Sequence, residues 1–161
     1  MGDVTAEDLV HLRRCVALAA AAVDAGDEPF GSVLVAGSGE VLAEEHNRER
    51  STGDATQHPE FALARWASTH LTPAERAAAT VYTSGEHCPM CAAAHGWVGL
   101  GRIVYASSAV QTAAWYEELG AGASPVRALR INEVVPGVAV AGPEPELAEQ
   151  VLALHRRFRG R

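Results

Sequence analysis

The stretch Ser84–Cys91, SGEHCPMC, joins a β-branched and aromatic run at 80–83 to an alanine-rich run at 92–94. This pattern predicts a strand, a tight turn and a helix, with Cys88 and Cys91 at the first turn of the helix. A spacing of three residues puts both sulfurs on one side of that turn. Because a helix N-terminus carries partial positive charge, the stretch predicts two thiolates held close together.

Hydrophobic periodicity on both sides of this stretch predicts alternating strands and helices. Five runs are predicted to be strands: 32–36, 40–44, 80–83, 102–106 and 132–141. Helices are predicted over about 7–25, from Pro59, from Pro89, over 109–119 and from Pro145. A tight turn makes the first two strands antiparallel, and a helical crossover makes the third and fourth parallel. We therefore predict an α/β fold, a three-layer α/β/α sandwich with a five-stranded mixed sheet, and one domain over 1–161.

Composition narrows the classes of function. The 161 residues include 13 basic and 20 acidic side chains, a formal charge of −7, which argues against a dominant nucleic-acid surface. The apolar run Cys15–Val23 is too short to cross a bilayer, so we expect no membrane partner. Three cysteines without an export signal predict metal-binding or reactive thiols in the cytoplasm rather than a disulfide framework.

One imidazole and two thiols stand out as candidate metal ligands. His58, Cys88 and Cys91 each precede or open a predicted helix, and a nitrogen with two sulfurs suits zinc. Three protein ligands leave a fourth position for water, which is typical of catalytic zinc. Glu60 lies on the first turn after His58, where a carboxylate can exchange protons with that water without binding the metal.

These motifs resemble those of a known family. His58-Pro59-Glu60 followed by Cys88-Pro89-Met90-Cys91 resembles the zinc-dependent nucleobase and nucleoside deaminases of the cytidine-deaminase-like superfamily. The similarity extends over roughly 29–106, including the hairpin at 29–42 and the His46-Asn47 pair. It is closest to the guanine and cytosine (free-base) deaminases and the nucleoside deaminases, together with the tRNA adenosine deaminases.

The resemblance implies hydrolytic deamination of a small amino-substituted base or nucleoside of the guanine or cytosine type, with release of ammonia. It implies zinc on His58, Cys88 and Cys91, and proton transfer by Glu60. It further implies a hydrogen bond from Asn47 to the substrate ring, a ring wall at Phe30 and a homodimer.

Trp115 and its neighbour Tyr116 are predicted to be further ring walls. They follow the last strand of the parallel pair, and α/β folds place pockets at the carboxyl ends of such strands.

Two residues depart from the family pattern and put the identity of the substrate in question. Pro59 stands where the family usually has a small residue whose N–H helps to hold the substrate. His87 stands where the family usually has a proline, and it is expected either to face solvent or to edge the pocket.

Three alternatives remain open at this stage. Cys88, Cys91 and His95 are spaced to form a closed, structural zinc site, and the two cysteines also resemble a redox pair. A basic C-terminal end, from His155 to Arg161, is compatible with a tRNA-editing deaminase, although cations also complement the end of a helix.

Overall fold

Helices and strands alternate along a computed structural model that describes residues 2–160. The strands are β1 Gly31–Val35, β2 Val41–His46, β3 Thr80–Gly85, β4 Ile103–Ser107 and β5 Val140–Ala141. The helices are α1 Ala6–Asp24, α2 Glu49–Thr52, α3 Pro59–His70, α4 Pro73–Ala78, α5 Pro89–Val98, α6 Ala109–Glu118, α7 Ile131–Val134 and α8 Pro145–Phe158.

The five strands form one mixed sheet in the order β2-β1-β3-β4-β5. The hairpin makes β1 antiparallel to β2, and β1 is also antiparallel to β3. β3 and β4 are parallel, as the helical crossover through α5 requires, and β5 is parallel to β4. The carboxyl ends of β3 and β4 therefore meet at one edge of the sheet.

Helices cover both faces of the sheet, which confirms the predicted three-layer α/β/α sandwich. Side chains alternate along a strand, so Val33 packs with α1 and α8 on one face while Leu34 packs with α3 on the other. On the α1 face, Gly31 leaves no room for a side chain, because an added Cβ would lie 2.5 Å from the Cys15 carbonyl oxygen. The absent side chain lets α1 approach the sheet closely.

Two helix starts determine where the predicted ligands lie. Pro59 occupies the first turn of α3 and Pro89 the first turn of α5, where a missing N–H costs no hydrogen bond. His58 and Cys88 are the N-cap residues of these helices. Both ligands are thus held by backbone that changes from extended to helical at that residue.

The predicted strand at 132–141 is wrong over most of its length. Residues Ile131–Val134 form the short helix α7, and only Val140–Ala141 pair with β4. The Asn132 amide donates hydrogen bonds to the carbonyl oxygens of Val135 and Val138, at 3.2 and 2.9 Å, and so closes a turn around Pro136-Gly137. This local hydrogen bonding outweighs the β-branched composition of the run.

No helix within the described residues is both long and apolar enough to span a bilayer.

Candidate active site

His58, Cys88 and Cys91 form one cluster at the starts of α3 and α5. The Nδ1 atom of His58 lies 3.5 Å from Cys88 Sγ and 3.6 Å from Cys91 Sγ. All three ligand atoms lie within 4.8 Å of one another. The structure thus brings together the three residues that the sequence predicts as metal ligands.

The spacing of these atoms fits tetrahedral zinc. Zn–N and Zn–S bonds of about 2.0 and 2.3 Å at a tetrahedral angle separate nitrogen from sulfur by about 3.5 Å. The two nitrogen–sulfur distances in the cluster, 3.5 and 3.6 Å, agree with that value. His58 turns its other ring nitrogen, Nε2, toward Glu49 Oε1 at 3.6 Å, and a carboxylate behind a ligating imidazole is common in zinc sites.

Burial and hydrogen bonding shift the pKa values of the two thiols of the cluster in opposite directions. Hydrogen bonds with Cys91 and His58 outweigh burial and lower the pKa of Cys88 to about 4. Burial opposes protonation of His58, but the hydrogen bond with Cys88 and the contact with Glu49 raise its pKa to about 10. The hydrogen bond that Cys91 donates to Cys88, together with burial, raises the pKa of Cys91 well above its ordinary value. A metal ion that binds here therefore has to displace protons.

Glu60 lies beside the cluster and is fixed by a hydroxyl group. Its Oε2 atom is 3.7 Å from Cys91 Sγ, and its Oε1 atom accepts a hydrogen bond of 2.8 Å from the Thr83 hydroxyl. The Thr83 oxygen in turn accepts a hydrogen bond of 2.9 Å from the Ser32 hydroxyl. Burial raises the pKa of the Glu60 carboxyl, which brings it toward the range useful for proton transfer.

A cavity of about 1120 Å³ opens directly onto the cluster, and His58, Glu60 and Cys88 line it. It lies at the carboxyl ends of β3 and β4, the edge where open α/β sheets place ligands. Gly120 and residues 122–129, which follow α6, also line the cavity. The cavity can therefore present a small molecule to the cluster and to Glu60 together.

The structure places the predicted ring walls in different environments. Phe30 lines the cavity, whereas Trp115 does not and instead belongs to the hydrophobic core between α1, α8 and the sheet. The helical twist of α6 turns Trp115 inward, 5.8 Å from the His155 ring, and turns its neighbour Tyr116 toward the cavity. The prediction is therefore wrong for Trp115, and Tyr116 is the aromatic side chain of α6 that lines the cavity.

Asn47 lies behind the cavity wall and is almost completely buried. Its Oδ1 atom accepts a hydrogen bond from the Glu49 backbone N–H at 3.0 Å, and its Nδ2 atom donates one to Glu49 Oε2 at 2.6 Å. Glu49 itself lines the cavity and faces His58. In this structure, Asn47 therefore orients Glu49, which in turn faces the imidazole.

The two out-of-pattern residues have different environments. Pro59 lines the cavity, so the family's N–H is absent from the wall itself. His87 neither faces solvent nor lines the cavity, since it is fully buried and its ring meets that of His95 at 5.4 Å. The Nε2 atom of His95 lies 2.8 Å from the Gly101 carbonyl oxygen. The cluster of candidate metal ligands contains His58 and not His95.

Three residues of the site do not stand out in the sequence: Glu28 and Glu49, which line the cavity, and Thr83, which binds Glu60. Glu49 falls in a polar segment without hydrophobic periodicity, where the Asn-x-Glu order at 47–49 is the only local signal, that of an Asx turn. Thr83 alternates inward on β3 like any core residue, and nothing local identifies its partner 23 positions away.

The basic C-terminal end is largely paired within the protein. Arg156 forms an ion pair with Glu118, Arg157 with Asp24, and Arg159 with Glu28. These contacts leave fewer cations for an external phosphate backbone.

Comparison with known proteins places these features in a family. The family model for the cytidine and deoxycytidylate deaminase zinc-binding region matches residues 5–107. A probable cytosine deaminase of Schizosaccharomyces pombe is 32% identical over 106 residues, 66% of this chain and 64% of that protein. Guanine deaminase of Bacillus subtilis is 37% identical over 97 residues, 60% of this chain and 62% of that protein. The chain thus spans a little under two thirds of the length of these curated relatives.

Solved structures extend the likeness of the fold over nearly the whole chain. Guanine deaminase from Nitrosomonas europaea superposes with a TM-score of 0.68 at 22% identity, covering 98% of this chain and 86% of that one. tRNA-specific adenosine deaminases are also among the matching relatives.

Proposed function

The chain belongs to the cytidine and deoxycytidylate deaminase zinc-binding family, and from this premise we propose that it is a zinc-dependent hydrolase. Its proposed reaction replaces the amino group of a small nucleobase or nucleoside by a carbonyl oxygen and releases ammonia. The observation that carries the proposal is the cluster of His58, Cys88 and Cys91 with Glu60 beside it at a cavity wall.

The three ligands fit a catalytic rather than a structural zinc site, because the cluster supplies one nitrogen and two sulfurs and borders the cavity. Bound there, zinc supplies a Lewis acid that lowers the pKa of a coordinated water toward neutrality. The Glu49 carboxylate behind His58 favours the ring orientation in which Nδ1 faces the metal position.

Glu60 performs the proton transfers of the proposed reaction. The oxygen of a water molecule bonds to the amino-bearing carbon, and Glu60 takes a proton from that water and delivers it to the adjacent ring nitrogen. Glu60 then carries the second proton to the departing nitrogen, the carbon–nitrogen bond breaks, and ammonia leaves as the carbonyl forms. Thr83 holds Oε1 throughout, so the carboxylate reaches its partners without searching for an orientation.

The charge of the cavity favours a small, unphosphorylated substrate. Beside Glu60, the wall carries the carboxylates of Glu28, Glu49, Glu86 and Glu117. Arg127 is the only lysine or arginine that the described residues contribute to the wall. A phosphate group would meet a predominantly negative wall, which disfavours nucleotides and RNA relative to free bases and nucleosides.

We further propose that the enzyme works as a homodimer in the cytoplasm. Trp97 is 90% exposed on α5, and tryptophan is enriched at protein–protein interfaces relative to the rest of the surface. All three cysteines are free thiols, as expected where thiols are kept reduced. Sedimentation velocity of the wild-type protein and of Trp97→Asp would reveal whether a dimer forms and whether α5 contributes to it.

A substrate panel tests the proposed function. Zinc-loaded protein is incubated separately with guanine, cytosine, adenine, their nucleosides and a tRNA transcript, and ammonia is measured. We expect ammonia from at least one base or nucleoside and none from the tRNA. Release from the tRNA alone would favour the RNA-editing alternative, and no release from any of them would contradict deamination.

A further inference from the structure

We propose that Glu28 is a specificity-determining residue of this cavity, whose carboxylate accepts a hydrogen bond from a ring N–H or second amino group of the substrate. The inference rests on the proposed function, because it concerns which heterocycle that site accepts. The Glu28 carboxylate selects bases that carry a hydrogen-bond donor in addition to the amino group that leaves. It disfavours analogues in which that donor is blocked.

Glu28 shares the cavity with the reactive groups. It lies three residues before β1 and lines the same cavity as His58 and Glu60. Its side chain is 19% exposed, so much of the carboxylate is already removed from bulk water. A carboxylate in that state gains more from a hydrogen-bond donor than a carboxylate at the open surface does.

Only one oxygen of Glu28 is used by the protein. Oε2 accepts a hydrogen bond of 3.4 Å from the Tyr116 hydroxyl and lies 3.5 Å from Arg159 Nη2. Among the described residues, none forms a hydrogen bond with Oε1. The second oxygen therefore keeps its capacity to accept a hydrogen bond.

The backbone on both sides of Glu28 is fixed. Asp27 is fully buried and accepts hydrogen bonds from the backbone N–H groups of Arg50 and Ser51, at 2.9 and 2.8 Å. Pro29 restricts the backbone on the other side, and Phe30 follows as a wall of the cavity. A ring that packs on Phe30 thus meets an acceptor whose position is set before the ligand binds.

The ion pair of Asp8 with Arg102 differs from the pair that Glu28 forms with Arg159. Asp8 receives Arg102 through both oxygens, at 2.8 and 2.9 Å, and the guanidinium overcomes burial to lower the pKa of Asp8 to about 2. The pairing of Glu28 with Arg159 is longer and uses one oxygen, and burial raises the pKa of Glu28. The guanidinium of Arg159 also lies over the Tyr116 ring at 4.9 Å, so it has a second contact besides Glu28.

Binding to a zinc-loaded protein that cannot turn over its ligand tests the inference. In a Glu60→Ala background, isothermal titration compares guanine and cytosine with their ring-N-methylated derivatives that keep the leaving amino group. We call the Glu60→Ala protein the parent. We expect it to bind an unmethylated base roughly tenfold or more tightly than the methylated derivative, because methylation removes a hydrogen bond to an ionised acceptor. Adding Glu28→Gln should weaken binding of that base by roughly tenfold and remove most of the preference.

Glu118→Gln in the same background is the matched control. It also removes a carboxylate paired with an arginine near the C-terminus, since Glu118 contacts Arg156 at 3.3 Å, but Glu118 lies outside the cavity wall. We expect its affinities to stay within about twofold of the parent, because an exposed pair contributes little.

The outcomes separate the two proposals. Equal affinities in the parent and the Glu28→Gln protein, or an equal loss in the Glu118→Gln protein, overturn the role of Glu28 and leave deamination standing. If Glu28→Gln fails to fold, the test rests on the Glu60→Ala parent alone. Equal affinity of the parent for unmethylated and methylated bases would then overturn the inference. Failure of every base to bind, with no ammonia from the wild type, overturns the proposed function and this inference together.

Discussion

Removing the Thr83 hydroxyl is predicted to slow catalysis without removing the metal. Thr83→Val keeps the shape of the side chain but deletes the hydrogen bond of 2.8 Å to Glu60 Oε1. A hydrogen bond to a charged group contributes roughly 1.5–3 kcal/mol, which corresponds to a loss in kcat of roughly 10- to 150-fold. Because Thr83 is not among the zinc ligands, the zinc content should stay at the wild-type value.

The same substitution also affects folding, so the assay has to separate the two effects. Ser32 donates to the Thr83 oxygen at 2.9 Å, and in the valine variant this buried hydroxyl loses its acceptor. The expected cost is about 1–3 kcal/mol in the free energy of unfolding. Thermal unfolding and zinc content are therefore measured on each preparation before its kcat and KM are determined with a base that the wild type deaminates.

Two further variants serve as controls. Thr83→Ser restores a hydroxyl at the same position and should recover most of kcat, whereas Ser32→Ala leaves the hydrogen bond to Glu60 intact and should cost only a few-fold. A zinc-replete, folded Thr83→Val protein with wild-type kcat would refute the argument. So would a Thr83→Ser protein as slow as the valine variant, since that result would make side-chain shape the cause.

The remaining predictions concern stability and metal binding. The pKa of Asp8 is lowered to about 2 in the folded state, so its contribution is present above pH ~4 and lost as the pH falls toward 2. In urea unfolding, the free energy of unfolding of the wild type should fall by about 1–2 kcal/mol over this pH range, and Asp8→Asn should lack this decrease. An equal pH dependence of the unfolding free energy in the two proteins would contradict the prediction. Gly31→Ala should lower the unfolding free energy by roughly 1–3 kcal/mol through its clash with α1, whereas Gly137→Ala, with nothing within 4 Å of the added carbon, should be nearly neutral. His58→Ala should lose bound zinc, and His95→Gln should retain it; the reverse result by metal analysis would support the structural-zinc alternative.

The metal ligands were predictable because their signal is local. His58 and Cys88 stand immediately before prolines that begin helices, and Cys91 follows on the same first turn. Short-range rules for helix starts therefore place all three on defined backbone. In the fold, α3 and α5 contribute side chains to the same hydrophobic cluster on one face of the sheet, and this packing brings the two helix starts together.

The supporting residues were not predictable because their partners lie far away in the chain. Thr83 reaches Glu60, and Arg159 reaches Glu28, across separations that no local pattern records. Trp115 and Tyr116 show a related limit, since a helix turns by about 100° per residue and an error of one position exchanges core for cavity. Composition identified the aromatic pair but not which ring faces a ligand.

The prediction of a strand over 132–141 was wrong for a different reason. Residues 132–141 are rich in valine, which favours a strand, but the Asn132 side chain satisfies several carbonyl groups and stabilises a turn instead. Only Val140–Ala141 reach β4.

Replacement of Glu60 by glutamine separates proton transfer from zinc binding. We predict that Glu60→Gln binds zinc with the same stoichiometry as the wild type, since the proposed ligands are His58, Cys88 and Cys91, and that ammonia release from the preferred base falls by at least roughly 100-fold. Zinc content and ammonia release are measured on the same samples. A zinc-replete Glu60→Gln protein that releases ammonia at the wild-type rate would contradict the account.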